Sequence, residues 1–217
     1  MSRNCSSTLT RTNLEVRTSN RRFPLLEGAL HDHSEVNEFL IERAANINAH
    51  TRFGWTVLHH ACSNGQVGLV ELLLAHQANV EAICTGLRSD SDGHGVTDQR
   101  PLHCVVKKSD IPEDWRLKVV EVLVSRGEAN VGARDSRGAT SIHAAVDKGW
   151  QAGLMILLKR ATPADLAITD KSGRTALDIA IDRGDGDLID AIKAAQYEVE
   201  FVKPLTSDMR NASLDPA

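Results

Sequence analysis

Cys84, His94, His103 and Cys104 are soft-metal ligand types within one stretch of chain, and its centre, "RSDSDGHGVTDQRPLH" from residue 88, adds a second chemistry. Asp90, Asp92, His94 and Gly95 fall on the first, third, fifth and sixth positions of a calcium loop. Such a loop closes with a bidentate Glu at its twelfth position, which here is Pro101. Zinc needs four ligands, or three and a water. If His103 serves the backbone and Cys104 follows it directly, only Cys84 and His94 remain, and no metal or other cofactor is expected. A second set, His59, His103 and His143, is evenly spread along the chain, while Asp178, Asp182, Asp185, Asp187 and Asp190 crowd "DIAIDRGDGDLID". Paired carboxylates can do acid-base work. No glycine-rich phosphate loop, nucleophile elbow or H-E-x-x-H accompanies them, so no enzyme is expected.

The histidine spacing points instead to the elements that hold it. Leu26, His59, His103, His143 and Asp178 take matching positions in five segments, at separations of 33, 44, 40 and 35 residues. The segments begin "FPLLEGALHDH" at 23, "GWTVLHHACSNG" at 54, "QRPLHCVVKKS" at 99, "GATSIHAAVDKG" at 138 and "GRTALDIAIDRG" at 173. In each, a short helix with small central residues precedes a helix with apolar residues at i, i+1, i+3, i+4 and i+5, such as Leu69, Val70, Leu72, Leu73 and Leu74. Neither helix covers its apolar side alone, so neighbouring units must stack. Stacked helices lie about 10 Å apart. Histidines one repeat apart therefore cannot share a metal whose ligands stand about 2 Å away.

These units resemble the ankyrin repeat family, with its T-P-L-H-x-A start, central Gly, Leu-Leu pair and Gly-Ala-Asp-Val-Asn end. The carriers are Thr56-Val57-Leu58-His59, Ala61, Gly65, Leu73-Leu74 and Ala78-Asn79-Val80; then Pro101-Leu102-His103 with Ala129-Asn130-Val131; then Thr140-Ser141-Ile142-His143 with Gly149 and Leu157-Leu158; then Thr175-Ala176-Leu177 with Ala180 and Gly184. The resemblance implies an all-α repeat solenoid, helix-turn-helix units joined by β-hairpin fingers. It makes His59, His103 and His143 structural hydrogen-bonding residues at helix starts. It places the "RGD" at 183–185 inside the repeat register. The function implied is protein binding, as an adaptor, scaffold or inhibitor.

Composition agrees with that fold. Aromatic residues make up only 4% of the chain, which suits a core of Leu, Ala, Val and Ile. The net charge of −4 gives no whole-molecule case for nucleic acid. The four cysteines show no C-x-x-C pairing and no apolar leader precedes residue 22, so reduced thiols in the cytoplasm or nucleus are expected. Five Arg and one Glu in the first 22 residues also bear a faint likeness to a mitochondrial presequence. The expected layout is a basic tail at 1–19, repeats at 21–48, 53–82, 98–133, 137–169 and 172–196, and a tail at 197–217. Insertions fall at 83–97 and 109–116. Asn37 and Lys193 replace apolar residues of the other repeats and are expected to turn outward as caps on a monomer.

The family's variable positions identify a binding face. Taking the Pro of T-P-L-H as one, positions minus four, minus three, minus one, seven, eight and twenty give 30 sites, with twelve basic residues against two acids, Asp147 and Asp182. Arg52, Lys107, Lys108, Arg137, Lys148, Lys171 and Arg174 are among them, and Phe53 and Trp55 sit beside Arg52 at an expected finger tip. A partner of acidic or phosphorylated character is the expectation. Trp55 either anchors that partner or packs on the insertion at 83–100, and Trp115 in the second insertion either functions or closes the local core. An auxiliary regulator of a metabolic or signalling pathway fits equally, and a nucleic-acid-binding module is the remaining alternative.

Overall fold

The structure, a computed structural model, describes residues 22–85 and 98–197. The expected tails, apart from Tyr197, which ends the last helix, lie outside the described residues, as do Asp90, Asp92, His94 and Gly95. Eleven helices are present among the described residues: α1 Pro24–Leu30, α2 Ser34–Glu42, α3 Val57–Asn64, α4 Val67–Ala75, α5 Pro101–Lys107, α6 Glu113–Ser125, α7 Ser141–Asp147, α8 Gln151–Leu158, α9 Pro163–Leu166, α10 Ala176–Arg183 and α11 Gly186–Tyr197. The first helices α1, α3, α5, α7 and α10 stack in order as one layer, and α2, α4, α6, α8 and α11 form the second.

Local chemistry explains each unit. Thr56, Thr140 and Thr175 hold extended backbone and cap α3, α7 and α10, accepting the N–H three residues on. The first helix of repeats two and five ends on Gly65 or Gly184 at φ 69° or 66°, where a side chain would be strained. The second helices bury one stripe each: Leu69, Val70 and Leu73 on α4, Val119, Val120, Leu123 and Val124 on α6, Leu154, Leu157 and Leu158 on α8, Leu188 and Ile192 on α11. One continuous core runs from Phe23 to Ala195. Each fully buried Leu or Val stabilises the stack by about 1.5–3 kcal/mol.

The structure adds two details to the expected units and corrects one expectation, that for Asn37. The fingers carry single β-bridges, His50 to Thr56 and Cys84 to Gln99, and no extended hairpin strands appear among the described residues. α9 is an extra turn of helix in repeat four. Its Thr162 cap, Pro163 start and Asp165 at the third position form a capping box that was readable in "TPADL". Asn37, expected outside, is 1% exposed. Its amide donates to Leu25 O at 3.0 Å and accepts the Ala29 N–H at 3.2 Å, filling the space over Gly28. Two hydrogen bonds to α1 compensate the burial of a polar side chain where other repeats place Val, Leu or Ile. Lys193 is exposed, as a cap requires.

Candidate protein-binding face

Three fingers share one backbone design. In 51–55 the Thr51 N–H donates to Trp55 O (2.9 Å) and the Gly54 N–H to Thr51 O (3.0 Å); Asp135 with Ala139 and Gly138, and Asp170 with Arg174 and Gly173, repeat both bonds. Gly54, Gly138 and Gly173 take φ of 76°, 74° and 77°, the conformation that closes so tight a turn. A side chain at the first position pins each loop. Asp135 Oδ1 accepts from the N–H groups of Arg137 (2.8 Å) and Ala139 (3.1 Å), and Asp170 Oδ1 from those of Ser172 (2.8 Å) and Arg174 (3.0 Å). Thr51 Oγ1 makes the same pair of contacts at 3.3 Å each. Adjacent fingers are stitched together, the Thr85 N–H donating to Phe53 O and the Lys171 N–H to Arg137 O.

The three repeat histidines connect one unit to the next. The Thr56 N–H donates to His59 Nδ1 at 3.2 Å, so the ring proton sits on Nε2 and points at Gln99 O, 3.2 Å away in the next repeat. His143 is held by the Thr140 N–H (3.3 Å), and its Nε2 reaches Arg174 O (3.2 Å). His103 accepts from the Arg100 N–H at 3.3 Å, and its buried ring meets the backbone of Ala139 in the next repeat, though Nε2 forms no well-shaped hydrogen bond there. Burial, reinforced by the nearby charge of Lys107, lowers its pKa to about 4, and burial lowers that of His143 as well. Both are neutral parts of the fold at physiological pH.

The basic residues divide by their partners. Lys107 Nζ lies 2.8 Å from the buried carboxylate of Asp135, Lys108 2.8 Å from Asp110, and Arg126 2.9 Å from Glu71. Arg174 meets Asp170 at 3.1 Å and Asp182 at 3.8 Å. Burial raises and Lys107 lowers the pKa of Asp135, and the balance is a lowered value. Arg52 stacks over Phe53 with its guanidinium carbon 4.3 Å from the ring centroid. Arg52, Lys148 and Lys171 are exposed with no carboxylate partner among the described residues, and Arg137 is exposed on the finger that Lys171 is stitched to.

A sequence profile of the family described as ankyrin repeats, in three copies, matches residues 3–84 and 25–135. The chain belongs to the ankyrin-repeat family. Among its relatives, the nuclear factor NF-kappa-B p105 subunit of Gallus gallus is 30% identical over 197 residues, covering 88% of this chain and 18% of that protein. The ANK repeat-containing protein nipk-1 of Caenorhabditis elegans is 30% identical over 133 residues, 58% of this chain and 20% of its own. The ankyrin repeat protein nuc-2 of Neurospora crassa is 30% identical over 149 residues, 68% and 12% respectively. The chain thus spans a fifth or less of the length of these relatives. An ankyrin array is a protein–protein interaction module.

Several candidate residues of the array stand elsewhere than their spacing indicates. Trp55 is 7% exposed and does not reach the finger tip. Its ring lies 5.6 Å from that of His59 and 4.9 Å from that of His60, and it is buried with Cys84 and Cys104. The alternative in which it packs on the insertion is the one realised, because a ring following Gly54 turns back under the loop. Phe53 is exposed at the tip, beside exposed Ile83. Lys107 and Lys108 lie near the C-terminus of α5, committed to carboxylates of the array itself. Trp115 is exposed, and the local core is closed instead by Trp150, whose Nε1 donates to Glu113 (2.9 Å) while Arg116 stacks 3.8 Å above the ring.

Two of the acids crowded in the last repeat serve helix starts. Asp178 accepts from the Thr175 N–H (2.8 Å) and hydroxyl (2.7 Å), bonds that lower its pKa, and Asp185 accepts from the Leu188 N–H at 3.3 Å. Arg183 of the "RGD" donates to Asp147 O, the end of α7, at 2.8 Å. Among the described residues no group of three or more His, Cys, Asp or Glu gathers as a metal site, and no helix is long and apolar enough to cross a membrane.

Proposed function

We propose that the fingers of this ankyrin array bind an acidic or phosphorylated segment of a partner protein, with the chain acting without covalent chemistry as an adaptor, scaffold or inhibitor. The observation that carries the reading is the set of exposed cations at the tips, Arg52, Arg137 and Lys171, held on loops that are pinned internally and each bonded to a neighbouring finger. Rigid loops lose little entropy on binding, and guanidinium groups match carboxylate or phosphate oxygens in pairs. Phe53 beneath Arg52 supplies an apolar contact beside that charge. Lys148, at the end of α7, and Arg174 extend the surface inward. Reduced Cys62, Cys84 and Cys104 suit the cytoplasm or nucleus, where the array would act as a monomer.

A display of peptides, each in acidic, phosphorylated and neutral versions, tests the proposal. The wild-type chain is expected to hold acidic or phosphorylated members and to release them as salt rises. Arg52→Glu combined with Arg137→Glu and Lys171→Glu should abolish that retention. Equal retention by wild type and triple variant, or preference for neutral peptides, would overturn it.

A further inference from the structure

The base of the finger between repeats two and three holds two thiols that the binding reading leaves unused. Cys84 and Gln99 pair on either side of residues 86–97, the Cys84 N–H donating to Gln99 O (3.0 Å) and the Asp98 N–H to Cys84 O (2.8 Å). Cys104 lies in the first turn of α5, its thiol 3.9 Å from Gln99 Oε1, and it packs in one cluster with Cys84 and Trp55. Both are reduced, and both are buried with Trp55 in a cluster of their own. Cys62 belongs to the main core instead. Cys84 itself is 1% exposed and lies between exposed Ile83 and Thr85, directly beneath the surface of the finger.

The two thiols are unlike. The hydrogen bond from Cys104 lowers Cys84 to about 5 against the opposing effect of burial, with the adjoining His59 helping. The same bond, together with burial, raises Cys104. Burial alone raises Cys62. The contact thus favours the ionised form of Cys84 and the protonated form of Cys104, the directions that suit an attacking and a resolving cysteine.

We propose that Cys84 and Cys104 form a peroxide-responsive pair whose disulfide staples the base of this finger to α5. The Cys84 thiolate attacks hydrogen peroxide, breaking the O–O bond to give the sulfenic acid and hydroxide. Cys104 then attacks the Cys84 sulfur: the S–S bond forms, the S–O bond breaks, and its oxygen leaves with the Cys104 proton as water. The hydroxide takes up a solvent proton, so two thiols and one peroxide give one disulfide and two waters. Oxidation adds a covalent tie between residues 84 and 104 to a bridge otherwise held by two backbone hydrogen bonds.

The test uses the full chain carrying Cys5→Ser, reduced and then treated with one equivalent of hydrogen peroxide. Accessible plus denaturant-released thiols are expected to fall from three to one, with a Cys84–Cys104 peptide found by non-reducing mass spectrometry and three thiols restored by dithiothreitol. Cys62→Ser should leave that linkage intact. Cys104→Ser should stop at a Cys84 sulfenic acid that dimedone labels, and Cys84→Ser should keep its two thiols. Circular dichroism checks that each variant retains the helical fold. A Cys62–Cys104 link, a dimer between chains, or three thiols surviving in the parent would overturn the proposal, and those readings do not depend on any variant folding.

Discussion

The finger at 51–55 and the finger at 135–139 trace the same backbone turn but are secured by different forces. The first is held from beneath by a buried indole: Trp55 supplies the apolar mass, and Thr51 makes only two long contacts of 3.3 Å. The second has Ala139 where the first has Trp55, and it is held by charge, since buried Asp135 binds two N–H groups and the Lys107 ammonium at once. The difference governs what each tip presents. Asp135 takes up the charge of Lys107, whereas the hydroxyl of Thr51 neutralises nothing and leaves Arg52 with Phe53 as its neighbour. One turn geometry thus serves a repeat protein as a variable-charge platform.

Removing each support separately tests that contrast. Trp55→Ala should cost about 4 kcal/mol, as a large buried side chain is lost and a cavity remains. Urea unfolding measures it, and a cost below about 1 kcal/mol would mean the ring does not support the finger. Asp135→Ala should cost about 3 kcal/mol, the low end for breaking a buried ion pair because Lys107 can turn toward solvent. Thr51→Ala at the matching position should cost only about 1 kcal/mol. Equal costs for the two would dissolve the distinction between charge-held and aromatic-held fingers.

The same contrast extends to pH. His103 binds its proton more weakly in the fold than in the unfolded chain, so its neutral form stabilises above about pH 6.5. That contribution is lost as pH falls toward its folded value of about 4. The loss is on the order of 3 kcal/mol. Asp135 is also lowered, so its part is present above about pH 4 and disappears as acid protonates it. Unfolding of His103→Gln across pH 7 to 4 should show a flatter profile than wild type. Thr51→Ala should keep the wild-type slope, because no titrating group is altered. The smallest effects on stability belong to the tips. Arg52→Glu and Arg137→Glu should each change unfolding free energy by no more than about 0.5 kcal/mol. Each should still weaken an acidic partner about tenfold, the counterpart of about 1.4 kcal/mol.

The stacking units were legible because their signals are local: a Thr cap, a His three residues on, and an apolar stripe at helical spacing. What escaped the sequence was set by contacts between repeats. Counting charges at variable positions found twelve bases against two acids, yet Asp135 and Asp170, one residue beyond the counted window, turn inward to hold Lys107 and Arg174. Asn37 reads as an outward cap until the gap over Gly28 and the waiting carbonyl of Leu25 are seen. Trp55 sits one residue past a tip, and that single step carries its ring beneath the loop. The helix at 163–166 was different, for its T-P-x-D start was visible and was hidden only by the repeat register laid over it.

The most direct test of the fingers as the binding face is hydrogen exchange on the complex with the tightest acidic or phosphorylated peptide from the display. Slowed exchange confined to the loops at 51–55, 135–139 and 170–174 and to the end of α7 is the expected footprint, and it should vanish when Arg52, Arg137 and Lys171 are all reversed to Glu. Protection along α6 and α8 with the loops unchanged, or a footprint that survives the three reversals, would contradict the account.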